Sequence, residues 1–289
     1  MGMPWDRAQP AYLERWVPRF TPYHVDFAEQ LGLKAEDRVL VPSCGPGSDV
    51  IALARHVTSQ AHGLVRGTDD NPSWVAVATR RLKEAALAGR AEIVATAPTD
   101  TAGGPWSVIA CTFSLFLLPA RRAALQAWAA ALTPNGKVGV MLWGPAPEDD
   151  PYEIFWNAAV QIAPELRTGG HRSLVVDRAG MGAMFEEAGL AMVRHTMVSH
   201  LLTFPTAERF VDDLCAAASW RERFNGLGEA RVAKIRAQFY EVVGGPTRPL
   251  TYSPPATIAL AGLPGAEVEL PHRPSVRIPA MTPPDASDE

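Results

Sequence analysis

Two short stretches carry the residues best suited to chemistry. The first, Val39 to Asp49, reads VLVPSCGPGSD: an apolar strand, a tight turn and the opening of a helix. Gly45 and Gly47 lack a Cβ, so the backbone there can approach a ligand closely. Helix amides from Ser48 onward favour a nearby anion. The second stretch, GTDDNP, ends an apolar run and places Asp69 22 residues after Gly47. A carboxylate at that point can accept hydrogen bonds from both hydroxyls of a ribose. Asp70 beside it supports the following helix through its dipole, and Asn71 with Pro72 supplies that helix's start. Loop and acid together point to an adenosine-type cofactor. Val50 stands where a dinucleotide fingerprint has its third glycine, which disfavours a nicotinamide cofactor.

The elements that must hold these residues follow from periodicity. Residues 1–36 form a helical lead-in rich in aromatics. RVLVP, HGLVRGT, AEIVAT, WSVIACTF and KVGVMLW then read as five strands. Helices are expected over Ser48 to Val57, from Pro72 to about Ala88, and from Pro119. This alternation predicts an α/β fold, a doubly wound parallel sheet. Further on, a helix is expected over Tyr152 to Ala163, another is capped by Asp177, and LAMVRHTMVSHLLTF reads as one long β segment. Two amphipathic helices near Thr206–Ala218 and Gly228–Val243 precede a last strand, PPATIALAG. Residues 264–289 are a proline-rich tail whose end is expected to be disordered.

Composition narrows the function classes. The net charge is −4 and basic residues are scattered, so a nucleic-acid partner is not expected. No apolar run reaches the roughly 18 residues of a membrane helix, and the N-terminus lacks a basic-then-apolar leader. Three widely spaced cysteines, Cys44, Cys111 and Cys215, read as reduced thiols of a cytoplasmic protein, without metal-ligand spacing. Cys44 and Cys111 are expected to be buried thiols and not nucleophiles, and His195 and His200 to point outward from their β segment.

These segments resemble class I S-adenosylmethionine-dependent methyltransferases, and in particular the small-molecule branch related to quinone-biosynthesis methyltransferases. VLVPSCGPG sits where the family has VLD-x-G-C-G-x-G. GTDDNPSWVAVA matches its second-strand acid and helix, ALTPNGKVGVMLWG its entry to strand five, and MFEEAGLAMVRH its E-A-G-F-x-x-V segment. The likeness spans roughly residues 5–262. It implies a mostly parallel Rossmann-like sheet with an antiparallel edge hairpin and a helical lid. The core would take residues 37–205 and 250–263, and the lid 206–249. S-adenosylmethionine would be the cofactor, held by Ser43, Cys44, Gly45, Gly47, Asp69, Asp70, Asn71, Thr112 and Tyr12. The departures from the pattern are all acids or glycine: Val41 replaces the acid of the first motif, Ser43 its first glycine, Ala97 the acid after strand three, and Ser107 the acid opening strand four. Asp100 lies near enough in sequence to substitute for the third, and the hydroxyls of Ser43 and Thr112 can compensate in part.

Methyl transfer needs alignment and exclusion of water more than a nucleophilic residue, and a base only where the acceptor must lose a proton. His171, in the loop TGGHRS, is the first candidate base and His24 the second. Trp16, Tyr23, Phe113, Phe116, Trp143, Phe155, Trp156 and Phe204 are candidates to line an acceptor pocket, which predicts an apolar or aromatic small molecule. The absent acids keep a second expectation open: a methyltransferase fold turned to cyclisation, rearrangement or ligand binding. No membrane partner is expected, and a homodimer is left open.

Overall fold

The computed structural model describes residues 4–168 and 177–271. The lead-in is two helices, α1 (Pro4–Arg15) and α2 (Val17–Leu31). Gly32, at φ +57°, ends α2 in the left-handed conformation that a Cβ disfavours. The chain then lays down β1 (Arg38–Pro42), α3 (Ser48–Leu53), β2 (Leu64–Asp69), α4 (Pro72–Glu84), β3 (Ala91–Ala95), β4 (Trp106–Thr112), α5 (Arg121–Ala130) and β5 (Leu132–Trp143). Next come α6 (Pro151–Ile162), α7 (Arg178–Glu186), β6 (Ala191–Ser199), β7 (Leu202–Phe204), α8 (Ala207–Ala216), α9 (Ala218–Asn225), α10 (Glu229–Val243), β8 (Leu250–Tyr252) and β9 (Pro255–Gly262).

The main sheet has seven strands in the order β3-β2-β1-β4-β5-β9-β6. The first five are parallel, and β9 runs antiparallel to both β5 and β6. The expected doubly wound sheet with an antiparallel edge is therefore present. Strand alternation divides the core: Val39 and Val41 pack with Tyr23, Phe27 and Leu31 on one face, while Leu40 packs with Ile109, Trp128 and Phe185 on the other. Among the described residues no helix is long and apolar enough to cross a membrane.

Three elements differ from expectation. The long β segment after Leu190 breaks at His200, whose backbone N–H donates to the Tyr23 hydroxyl at 3.1 Å, and β7 leaves to pair with β8 in a separate two-stranded sheet. The helix expected over 206–218 turns at Ala217, where ψ is 140°, so α8 and α9 are separate. The histidines of this region are not simply outward: His200 Nε2 lies 2.8 Å from Asp26 Oδ2, and His195 Nε2 is buried.

A third core sits over one end of the sheet. Phe155 of α6, Phe204 of β7, Phe210 of α8, Trp220 of α9 and Phe239 of α10 are all buried there. Their rings meet mainly edge to face, with centroids 5.0 Å apart for Phe155–Trp220 and 5.1 Å for Phe204–Phe210. Asp213 of α8, fully buried, ties this layer to the lead-in. It meets Arg15 at 3.2 Å, Arg19 at 3.0 Å and Arg209 at 2.8 Å, while its carbonyl accepts from Trp16 Nε1.

Candidate functional site

A cavity of about 810 Å³ opens at the carboxyl ends of β1, β2 and β4, under the lead-in and the lid layer. That is where open α/β sheets bind ligands, and the volume lies within the roughly 300–1,000 Å³ usual for small-molecule sites.

The turn after β1 is shaped by left-handed residues at alternate positions: Ser43 at φ +56°, Gly45 at +50° and Gly47 at +72°. Ser43 thus holds a left-handed backbone conformation, at a cost of about 1–2 kcal/mol for a residue with a Cβ. A Cβ on Gly45 would meet nothing within 4 Å, so this glycine presents bare backbone to the cavity. Gly47 does not face the cavity. A Cβ there would sit 3.0 Å from that of Ala78, so its smallness lets the turn pack on α4, which corrects its expected ligand-facing role. Arg81 of α4 clamps the same turn through the Pro46 carbonyl and, at 3.0 Å, the Ser48 hydroxyl.

Asp69 ends β2 on the cavity wall. One carboxylate oxygen accepts from the Gly45 amide at 2.8 Å and the other from the Asn71 amide at 2.9 Å. Each oxygen keeps a second lone pair for a hydroxyl of a ligand. Burial raises its pKa, against the pull of those two amides. Asn71 lines the cavity and caps α4, its Oδ1 accepting from Ser73 N at 2.8 Å, while its Nδ2 is buried without a partner. A buried amide donor without a partner costs free energy until something accepts from it.

Val41 is uncharged and fully buried, but another element brings an acid to the cavity. Asp49, at the second position of α3, is 3% exposed and lines the cavity. Thr112 Oγ1 donates to its Oδ2 at 2.8 Å, and the Val50 amide to its Oδ1 at 2.8 Å. Burial pushes its pKa up to about 7. Tyr12 closes over this region; burial and the nearby Asp49 push its phenol up to about 12, so it stays protonated. Asp49 was legible only as the last residue of the loop motif; its inward direction is set by α3.

Asp100 does not stand in for the acid absent at Ala97. Its carboxylate takes the Thr96 hydroxyl and, at 2.9 Å, the Ala102 amide, while Ala97, Pro98 and Thr99 line the cavity without a charge. Ser107 lies at the opposite end of β4 from the cavity, its hydroxyl bonded to the Arg38 backbone, so the acid absent there has no bearing on the site.

Of the expected acceptor residues, Trp16, Phe113, Phe116 and Trp143 line the cavity. Phe113 stacks on Trp143 with centroids 4.2 Å apart and holds φ +50°, a strained conformation for an aromatic residue. Phe20 and Trp74, not singled out from the sequence, complete this aromatic wall. Tyr23, Phe155, Trp156 and Phe204 do not line it. Tyr23 is fully buried, donating to the Pro254 carbonyl at 2.6 Å. The other three turn into the lid core, where ring packing outweighs exposure to the cavity.

His171 lies outside the described residues. His24 lines the cavity, but burial and the positive charge of Arg81 lower its pKa to about 4, so it is neutral at pH 7. Asp150, which caps α6 through the Tyr152 amide at 2.8 Å, also lines the cavity, and burial raises it to about 6. In the sequence Asp150 falls in GPAPEDDP, a loop that carries no site signal. Cys44 and Cys111 are buried, as expected, and burial holds the Cys111 thiol at about 12, too high for a thiolate at neutral pH.

No family model and no curated protein matches the chain. Solved structures do. The YcgJ protein of Bacillus subtilis superposes with a TM-score of 0.53 at 18% identity, over 84% of this chain and 97% of that one. A Bacillus halodurans protein assigned as a methyltransferase gives 0.55 at 18%, over 83% and 97%. The [4+2]-cyclase SpnF gives 0.53 at 17%, over 84% and 81%. The chain therefore has the fold of class I S-adenosylmethionine-dependent methyltransferases.

Proposed function

We propose that this protein transfers a methyl group from S-adenosylmethionine to an O, N or C atom of an apolar or aromatic small molecule. The observation that carries the reading is the pairing of Asp69 with the bare backbone at Gly45. A carboxylate with free lone pairs is fixed beside a glycine whose backbone no Cβ obstructs, and Asn71, whose buried amide donor has no partner, lines the same cavity. These residues fit an adenosyl group: Asp69 for the ribose hydroxyls, Asn71 Nδ2 for an acceptor atom of the nucleoside, and Asp49 for the ammonium of the methionine part. The aromatic wall suits a sulfonium, a cation that favours π faces. When bound, the cofactor supplies an electrophilic methyl group.

The chain's own residues then position and dry the acceptor. Phe113, Trp143, Phe20 and Trp16 offer flat apolar surfaces to it. Asp150 is the better base for an acceptor that must lose a proton, because its pKa of about 6 leaves it ionised at pH 7 yet basic enough to accept. His24, at about 4, is a poor base.

A second reading, a methyltransferase fold turned to cyclisation or rearrangement, draws on the likeness to SpnF and on the uncharged residues at Val41 and Ala97. Calorimetry with S-adenosylhomocysteine tests cofactor binding. Asp69→Ala is expected to weaken it at least tenfold, and an unchanged affinity would remove Asp69 from the site. Transfer of labelled methyl to product separates the two readings, since a cyclase would bind the cofactor and label nothing.

A further inference from the structure

The lid end of the cavity carries a charge that none of the roles above uses. Arg223, in the last turn of α9, lines the cavity. Its guanidinium lies over two rings, 5.2 Å from the centroid of Trp156 and 5.3 Å from that of Trp220. Its Nη2 is buried and has no hydrogen-bond partner. Other lid arginines are paired: Arg209 with Asp213, Arg231 with Glu165 and Arg236 with Asp212. Among the described residues no carboxylate forms an ion pair with Arg223. The two indoles, set edge to face at 71° to each other, flank the guanidinium, and burial pulls its pKa down, so the cation is held where water serves it poorly. An anion arriving from the cavity would relieve that penalty.

We propose that the acceptor carries a carboxylate, bound by Arg223, on an apolar body that lies along the aromatic wall. This deepens the transfer reading and rests on it. A planar guanidinium matches a carboxylate in a paired geometry that an ammonium cannot reproduce. A single negative charge is favoured over a phosphate dianion, because Arg223 lines the cavity together with the acids Asp49, Asp69, Asp70, Asp150 and Glu153.

The test uses naphthoate, neutral naphthamide and naphthyl phosphate as probes, titrated calorimetrically into the full chain at pH 7.5. Naphthoate is expected to bind at least tenfold tighter than naphthamide and tighter than the phosphate. Arg223→Met should abolish the preference while keeping the amide within about twofold, and Arg223→Lys should retain part of it. Equal affinity for acid and amide, a preference that survives in R223M, tighter binding of the phosphate, or no detectable naphthoate binding would overturn the proposal. S-adenosylhomocysteine titrated into the same proteins reports the cofactor end separately. Its unchanged affinity in R223M shows an intact fold, and its failure to bind any of them would sink the transfer reading without deciding the role of Arg223.

Discussion

Asp49→Asn is the substitution in which the geometry makes its sharpest demand. The folded protein holds the Asp49 proton up to about pH 7, against an ordinary value of 3.8, because burial disfavours the charge. Between those two values the folded state binds a proton that the unfolded chain has released. Its stabilising contribution is therefore complete at low pH and is lost as pH rises through 7. Integrated from pH 5 to pH 8, the loss is on the order of 2–3 kcal/mol, equivalent to about 5 °C in Tm for a chain of this size. Asparagine keeps the shape, its oxygen accepting from the Val50 amide and its NH2 donating to the Thr112 hydroxyl, as a protonated carboxyl can, but it cannot ionise. The variant should melt close to wild type at pH 5 and about 5 °C higher at pH 8. Asp150 and His24 titrate in both proteins and cancel in the difference. Calorimetry supplies a second readout. If Asp49 pairs with the ligand's ammonium, binding of S-adenosylhomocysteine at pH 6.5 should release a proton, seen as a dependence of the heat on buffer ionisation enthalpy, and the variant should lose it. Melting curves that run parallel from pH 5 to pH 8 would refute the burial argument. Equal proton release in both proteins would refute the pairing.

Two further changes probe the frame around the site. Ser43→Gly relieves a left-handed serine, and after the entropy cost of glycine it should raise stability by about 0.5–1 kcal/mol in urea unfolding; a loss would show that the hydroxyl outweighs the strain. Asp213→Asn leaves Arg15, Arg19 and Arg209 without their shared carboxylate and should cost about 2–3 kcal/mol, below the full buried-pair value because the arginines are partly exposed. Amide exchange in α2 and α8 should quicken together; faster exchange in only one of them would show that Asp213 does not couple the two.

What the sequence disclosed was the part governed by local rules. Strand alternation and the caps at Asn71 and Asp177 placed the sheet and most helices, because period and capping act within a few residues. The turn at Cys44–Gly45 and the acid Asp69 were legible for the same reason. The cavity role of Asp49 was not: it becomes a cavity residue only through the rotation of α3 and the hydroxyl of Thr112, 63 residues away. Aromatic rings were the least legible. Phe155 and Trp143 look alike in sequence, yet one fills the lid core and the other faces the cavity, a choice made by helices that meet only in the folded chain. The break at His200 likewise depended on Tyr23, far away in the chain.

The lid's ring-packed core and the sheet's core are separate bodies of apolar side chains, with the cavity along their border. A molecule lying there touches both. It therefore acts as mortar: each half gains adhesion to the other in proportion to how tightly the guest is held. A change confined to that layer's inner surface alters one wall of the cavity and leaves the Asp69 end untouched.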